Sequence, residues 1–203
     1  MPRVGRVIPV NAAAHIMCRG NNKQVIFHSD KDKLQYYLFL NKFKDENKIA
    51  VFHYCLMNSH IHLIVFASAE TRLSRFMKQV NLSYFSYYSR KYGYVGHLWQ
   101  GRFKSKIIER DEYLLQCGKY IELNPVRAGM VNFPQEYKFS SYNYYSIGAY
   151  DPLITPNPAY LGLSDFQQSR RKQYLEFILD SSIIKTILLI SDKRKDKNIN
   201  KIE

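Results

Sequence analysis

Cysteine is scarce in this chain: 203 residues contain three, Cys18, Cys55 and Cys117. They are widely separated and form no Cys-x-x-Cys pair. An odd, dispersed set in a chain expected to be cytoplasmic argues against a disulfide framework and a Cys-rich zinc module. Cys55, close to two histidines, reads as a small buried hydrophobe rather than a metal ligand. No run approaches the roughly 18 apolar residues of a membrane span, and the opening Met1-Pro2-Arg3-Val4-Gly5-Arg6 lacks the apolar core of a secretory signal. No internal repeat or low-complexity tract is present. Acidic residues are also few, 17 Asp plus Glu against 30 Lys plus Arg, for a net charge of +13. That surplus suits a polyanionic partner, most economically nucleic acid, although a membrane surface would satisfy the charge alone.

With 46% hydrophobic residues, the chain is long enough for one folded domain with a sizeable core, expected over 1–148, and an extension over 149–203. Aromatics are plentiful, with 17 Tyr, 12 Phe and one Trp, and tyrosine in a basic protein suits base stacking and phosphate hydrogen bonding. Ala13 to Arg19 reads as a strand ending in the turn Gly20-Asn21-Asn22. Ser29 or Asp30 caps a helix reaching about Asn47, with Leu34, Tyr37, Leu38 and Asn41 at helical spacing. Two strands follow, Val51–Met57 and His60–Phe66, joined by Asn58-Ser59. Thr71 is the expected cap of a second helix that buries Leu73, Phe76, Met77, Val80 and Tyr84 and shows Arg75 and Lys78. After the loop 93–101, Arg102, Lys104 and Lys106 alternate along a strand and are expected on one face. They read either as a solvated edge or, with Arg75 and Lys78, as a phosphate-tracking groove, which is the expectation adopted. The order strand, helix, strand, strand, helix, strand is that of an α+β, ferredoxin-like split βαβ fold: an antiparallel sheet with helices on one face. A third helix, from Asp111 through Leu123, is expected to stop at Asn124-Pro125. Beyond Gly129 the pattern loosens, with one amphipathic helix over Ser164–Ile178 and a charged tail from Asp192 to Glu203.

Within the third strand, His60, His62, Ile64 and Phe66 point one way and Ile61, Leu63 and Val65 the other. Two imidazoles on one strand face can hold one cation, yet a His-x-His pair alone equally suits a solvated strand end. In the third helix Tyr120 and Asn124 are four apart, hence on one face. A phenol can act as a nucleophile and an amide oxygen as a third ligand. Read alone, Tyr120 is also an ordinary buried tyrosine, and Asn124 an ordinary helix-terminal residue.

His60-Ile61-His62 is a His-hydrophobic-His signature. It is followed in order by Gly96-His97-Leu98-Trp99-Gln100-Gly101-Arg102-Phe103-Lys104-Ser105 and by Tyr120-Ile121-Glu122-Leu123-Asn124-Pro125-Val126-Arg127-Ala128-Gly129. Together they resemble the single-tyrosine HUH transposases, most closely the REP-associated tyrosine transposases and their insertion-sequence relatives, from about His15 to Tyr145.

The resemblance implies a divalent metal, Mg²⁺ or Mn²⁺, on His60 and His62 with Asn124 completing the site, and Tyr120 as nucleophile on single-stranded DNA. In relatives the third ligand is often Gln or Asn four residues after the tyrosine, as here. It also implies a 5′-phosphotyrosine with a free 3′-hydroxyl, hairpin DNA as partner and a homodimer. Arg127 is expected either to contact phosphate or to form a structural ion pair. Two competing readings stay open: a non-catalytic hairpin-binding regulator, and a metal phosphohydrolase without a covalent step.

Overall fold

The computed structural model describes residues 8–109 and 111–179. The N-terminal stretch Met1–Arg6 and the tail Asp192–Glu203 lie outside the described residues. Strand β1 (Ala12–Arg19), helix α1 (Asp30–Lys44), strands β2 (Ile49–Met57) and β3 (His60–Ala67), helix α2 (Leu73–Tyr92), strand β4 (Lys104–Ile108) and helix α3 (Asp111–Glu122) follow one another in the expected order. They form a four-stranded sheet, β2-β3-β1-β4, with each neighbouring pair antiparallel. This is the ferredoxin-like arrangement, and it places β3 at the centre of the sheet.

Alternation along β3 divides the protein into two cores. Ile61, Leu63 and Val65 pack with Ile16, Leu56 and the buried faces of α1 and α2. Ile64 joins Cys55, Met57, Phe52, Leu114 and Ile121 on the other side. Helices therefore cover both faces, not one as the sequence suggests, because α3 turns its apolar Leu114 and Ile121 onto the histidine face. A β-bulge in β2 between Val51 and His53 makes this possible. Without it His53 would share Val51's face; the extra residue re-aims the imidazole towards α3.

Beyond α3 come the short helices α4 (Asn124–Arg127), α5 (Tyr142–Ile147) and α6 (Pro158–Leu161), and then α7 (Gln167–Leu179). The segment following residue 138 closes the outer edge of β2, with Leu56 N–H donating to Phe139, Ser141 N–H to Tyr54 and Thr155 N–H to Val51. On the opposite edge β4 pairs only with β1. Among the described residues no helix is long and apolar enough to cross a membrane.

Helix starts follow side-chain chemistry in one case and not in another. Ser29 caps α1 through a capping box with Asp32. Thr71 does not cap α2. Its hydroxyl instead accepts from Ser68 N–H and donates to the Lys48 carbonyl, leaving Arg72 at the cap position.

Asp32 does more than cap. It is fully buried, and its two oxygens take Lys91 Nζ at 2.5 Å, Tyr92 at 2.7 Å and Tyr87 at 2.9 Å, tying α1 to the end of α2. Burial alone would raise its pKa; the bonds from Lys91, Tyr92, Tyr87 and Ser29 outweigh this and hold it at about 2, against an ordinary 3.8. A depressed carboxyl stabilises the fold above its unfolded-state pKa, and that stability is lost as pH falls through the folded value. The shift corresponds to a contribution on the order of 2 kcal/mol. Urea midpoints should therefore fall as pH drops from about 4 to about 2, and Asp32→Asn should flatten that part of the profile. An unchanged profile in the variant would show that Asp32 is not the linked group.

Candidate active site

Strand β3 sets the two histidines of the His-x-His pair on one face, with ring centroids 4.9 Å apart and planes at 86°. Each ring has Nδ1 engaged. His60 Nδ1 lies 3.0 Å from Ser59 Oγ, and His62 Nδ1 lies 2.8 Å from Nε2 of His15 on the neighbouring strand. Both Nε2 atoms are left for an external partner, which is the arrangement in which a second group fixes the tautomer and orientation of a metal-ligating imidazole. Burial, with help from His15, His60 and Arg19, pushes His62 down to about 3, and burial with Arg19 also lowers His60. Both rings are thus held neutral, the form that binds metal.

His15, to which the sequence assigns no role, is the missed member of this group. Alternation on β1 would have shown it on the histidine face, but only the strand register shows it beside His62. Among the described residues no group of three or more His, Cys, Asp and Glu side chains is arranged to hold a metal. What this face offers is two imidazoles with open Nε2 atoms, donors of a kind suited to a borderline cation.

Helix α3 crosses this face of the sheet. Tyr120 is 52% exposed, so it is not the buried helix tyrosine that the sequence alone allows. It lines a cavity with His15, Lys106, Tyr113 and Cys117, and His15 connects that cavity to His62. Tyr113 is 53% exposed and shares the same wall. Arg127 folds back on Tyr120: its Nη1 donates to the Tyr120 carbonyl at 2.7 Å, and the guanidinium lies 4.9 Å from the ring centroid. It makes no ion pair among the described residues. Asn124 is not part of α3. The helix closes at Glu122, Leu123 serves as a cap in αR geometry, and Asn124 opens α4 with Pro125 in the first turn, where a missing N–H costs nothing. Asn124 makes no hydrogen bond to the histidines, and its side-chain nitrogen is buried without a partner. With the amide turned over, an unpaired oxygen lies there instead, which a cation would satisfy.

Behind Tyr120, α3 is fixed by a buried polar network. Glu122 accepts from His53 Nδ1 at 2.8 Å, Ser141 Oγ at 2.5 Å and Tyr174 Oη at 2.6 Å. Asn157 completes it. Its Oδ1 accepts from Ala159 N–H, so its Nδ2 must donate to His53 Nε2 at 2.8 Å. His53 consequently accepts at Nε2 and donates at Nδ1. Every polar atom in the chain from Asn157 to Glu122 is paired, as burial demands. Glu122, two residues from Tyr120 in the helix, is buried where Tyr120 is exposed, and His53 is its buried partner. No local pattern links positions 53, 122, 141, 157 and 174; only the fold does.

The basic residues divide into two groups. Lys104 and Lys106 pair with Met17 and His15 and so share the histidine face. Arg102 does not line up with them, because β4 begins at Lys104; it lies in the preceding bend and shares a cleft with Lys78, Asn81 and Trp99. Arg75 is held by Glu46 at 2.5 Å on the surface.

Gly118 allows the close approach of α3. A Cβ there would meet the His53 ring at 2.5 Å, and that ring is stacked on Tyr145 at 4.5 Å and bonded through both nitrogens, so it has nowhere to go. Gly118→Ala gains up to about 1 kcal/mol of helix propensity, but overpacking a fixed site costs about 1–3 kcal/mol. Net destabilisation is expected in urea unfolding. A more stable variant would mean that α3 is not wedged against β2.

Residues 10–124, over half the chain, match the family described as Transposase IS200 like. No curated protein matches the chain. Among solved structures, the chain is similar to a REP-associated tyrosine transposase bound to a REP hairpin, with a TM-score of 0.60 and 16% identity, covering 76% of this chain and 92% of that one. A candidate transposase from Deinococcus radiodurans R1 gives a TM-score of 0.42 at 15% identity, covering 60% and 96%. The tRNA(His) guanylyltransferase of Saccharomyces cerevisiae gives 0.46 at 11%, covering 88% and 80%. The first of these shares the fold, and the family match extends from the start of β1 through His60, His62 and Tyr120 to Asn124: the chain belongs to the IS200-like transposases.

Proposed function

We propose that this transposase nicks and rejoins single-stranded DNA beside a folded hairpin, through a covalent intermediate on Tyr120. The observation that carries this reading is the placement of an exposed tyrosine on a helix crossing the sheet face where His60 and His62 present open Nε2 atoms. The phenolic oxygen forms a bond to phosphorus and gives up its proton, while the P–O3′ bond breaks and the leaving oxygen takes up a proton. The products are a 5′-phosphotyrosine and a free 3′-hydroxyl. Because the ester retains the bond energy, a 3′-hydroxyl can reverse the step without ATP.

His60, His62 and Asn124 would hold Mg²⁺ or Mn²⁺, which when bound draws charge from the non-bridging phosphate oxygens. The protein's own residues do the rest. His15 keeps His62 turned outward, Arg127 packs on the Tyr120 ring, and the Glu122 network fixes the helix beneath both. Lys104 and Lys106 lie where a strand entering the Tyr120 cavity needs countercharge, and Lys78 and Arg102 line a second cleft suited to a phosphate backbone. Arg75 would have to leave Glu46 before it contacted DNA, and Arg127 would reach phosphate only past the Tyr120 ring. The hairpin bound by the similar REP-associated enzyme supports a hairpin partner here. A homodimer suits the open β4 edge.

Incubation with labelled single-stranded hairpin DNA and Mn²⁺ should give an SDS-stable adduct. Tyr120→Phe should abolish the adduct while hairpin affinity persists. His62→Ala should abolish cleavage, and Asn124→Ala should weaken it less, since water can take the position of its oxygen. Replacing Lys104 or Lys106 should reduce the salt slope of binding by about one unit each. Cleavage by Tyr120→Phe without an adduct would indicate a hydrolase. Hairpin binding by the wild-type protein without any cleavage would indicate a regulator.

A further inference from the structure

Arg19, which no sequence motif singles out, ends β1 directly opposite His60. Paired residues of antiparallel strands project to the same side, so its side chain shares the face of His60 and His62. It is partly buried, and its Nε is sealed from solvent without a hydrogen-bond partner. Among the described residues the guanidinium has neither an ion pair nor a hydrogen bond, whereas the buried Lys33 has the Asp30 carboxylate 3.9 Å away. The backbone beneath it is rigid. The Arg19 carbonyl accepts from Gln100 N–H at 2.9 Å, and Gly20 bridges to Trp99 and donates to Ser59 at 2.9 Å.

An enclosed charge without a counterion is costly, and natural sites supply the counterion from the protein or from the ligand. Among the described residues the protein supplies none. A divalent cation on the adjacent imidazoles would add positive charge to the same spot, so only an anionic ligand brings the cluster towards neutrality. Guanidinium binds phosphate through two parallel N–H donors.

We propose that Arg19 is a phosphate-binding residue of the cleavage site, holding a non-bridging oxygen of the DNA phosphodiester beside the His60–His62 pair. This rests on the strand-cleavage reading for its substrate, but its geometry is independent of Tyr120.

The test measures Mn²⁺ binding by electron paramagnetic resonance, with and without dimethyl phosphate as a diester probe. In the wild-type protein the probe should tighten Mn²⁺ binding by about fivefold, the lower range of ordinary coupling between sites. Arg19→Met should bind Mn²⁺ alone at least as tightly as wild type, since a neighbouring cation has been removed, and should show no gain from the probe. Arg19→Lys, which keeps charge but not the fork, should recover part of the gain. In a second arm, hairpin DNA binding by Arg19→Met should lose about one unit of salt slope, showing that the DNA backbone and not only a small phosphate is bound.

A full probe effect in Arg19→Met would overturn the proposal. So would loss of Mn²⁺ binding without probe in both variants, which would make Arg19 a prop for His60. Tyr120→Phe should keep the coupling; an adduct that persists in Tyr120→Phe sinks the nucleophile assignment and leaves Arg19 standing. If wild type binds no Mn²⁺, phosphorus NMR of the probe in EDTA decides, with binding to wild type and none to Arg19→Met expected.

Discussion

The carboxylate of Glu122 is fully buried, and it must be met there by donors or not be there at all. His53, Ser141 and Tyr174 meet it, from a strand, a connecting segment and a helix that are far apart in the chain. Removing one partner from such a set leaves a buried polar atom unpaired, at about 1–3 kcal/mol for a neutral group and more for a charged one. Because Glu122 is two residues after Tyr120 and two before Asn124, satisfying it fixes the part of α3 from which the site is built. The C-terminal extension is tied into the same network through Asn157 and Tyr174.

The sheet separates stability from chemistry. One face carries an uninterrupted apolar core under α1 and α2, closed at its rim by the Asp32 cluster. The other face holds His15, His60, His62, Arg19, Lys104 and Lys106 within the span of three strands. Polar groups are tolerated there because α3 covers only part of it, and because the imidazoles engage one another and Ser59 rather than standing unpaired. The same enclosure that holds the histidines neutral leaves Arg19 without a counterion among the described residues.

Most of the scaffold was legible from periodicity. The six elements up to β4 and the central position of β3 follow from alternating and helical spacing, turn residues and element order. Local rules failed where two partners competed. Thr71 has a cap residue's chemistry, but the Lys48 carbonyl and Ser68 amide claim its hydroxyl. Arg102 fits the alternation of β4, yet pairing stops at Lys104. The shared face of His60 and His62 and the helical position of Tyr120 were readable from His60-Ile61-His62 and the Tyr120 motif, since spacing along one element fixes which residues share a face. His15, Arg19 and the Glu122 network were not, since their partners are 41 or more positions away except at Ser141, 19 positions on from Glu122. A β-bulge that re-aims His53 leaves no trace in composition.

The proposed chemistry converges on one oxygen, the phenol of Tyr120. Trypsin separates the two tyrosines of the cavity, because Lys119 lies between them: Tyr113 falls in the peptide 111–119 and Tyr120 in the peptide 120–127. Mass spectrometry of the nuclease-trimmed DNA adduct therefore identifies the nucleophile directly. Attack by the Tyr120 oxygen predicts a nucleotide on the peptide 120–127, at Tyr120. A nucleotide on the peptide 111–119, or on any other tyrosine, would contradict it.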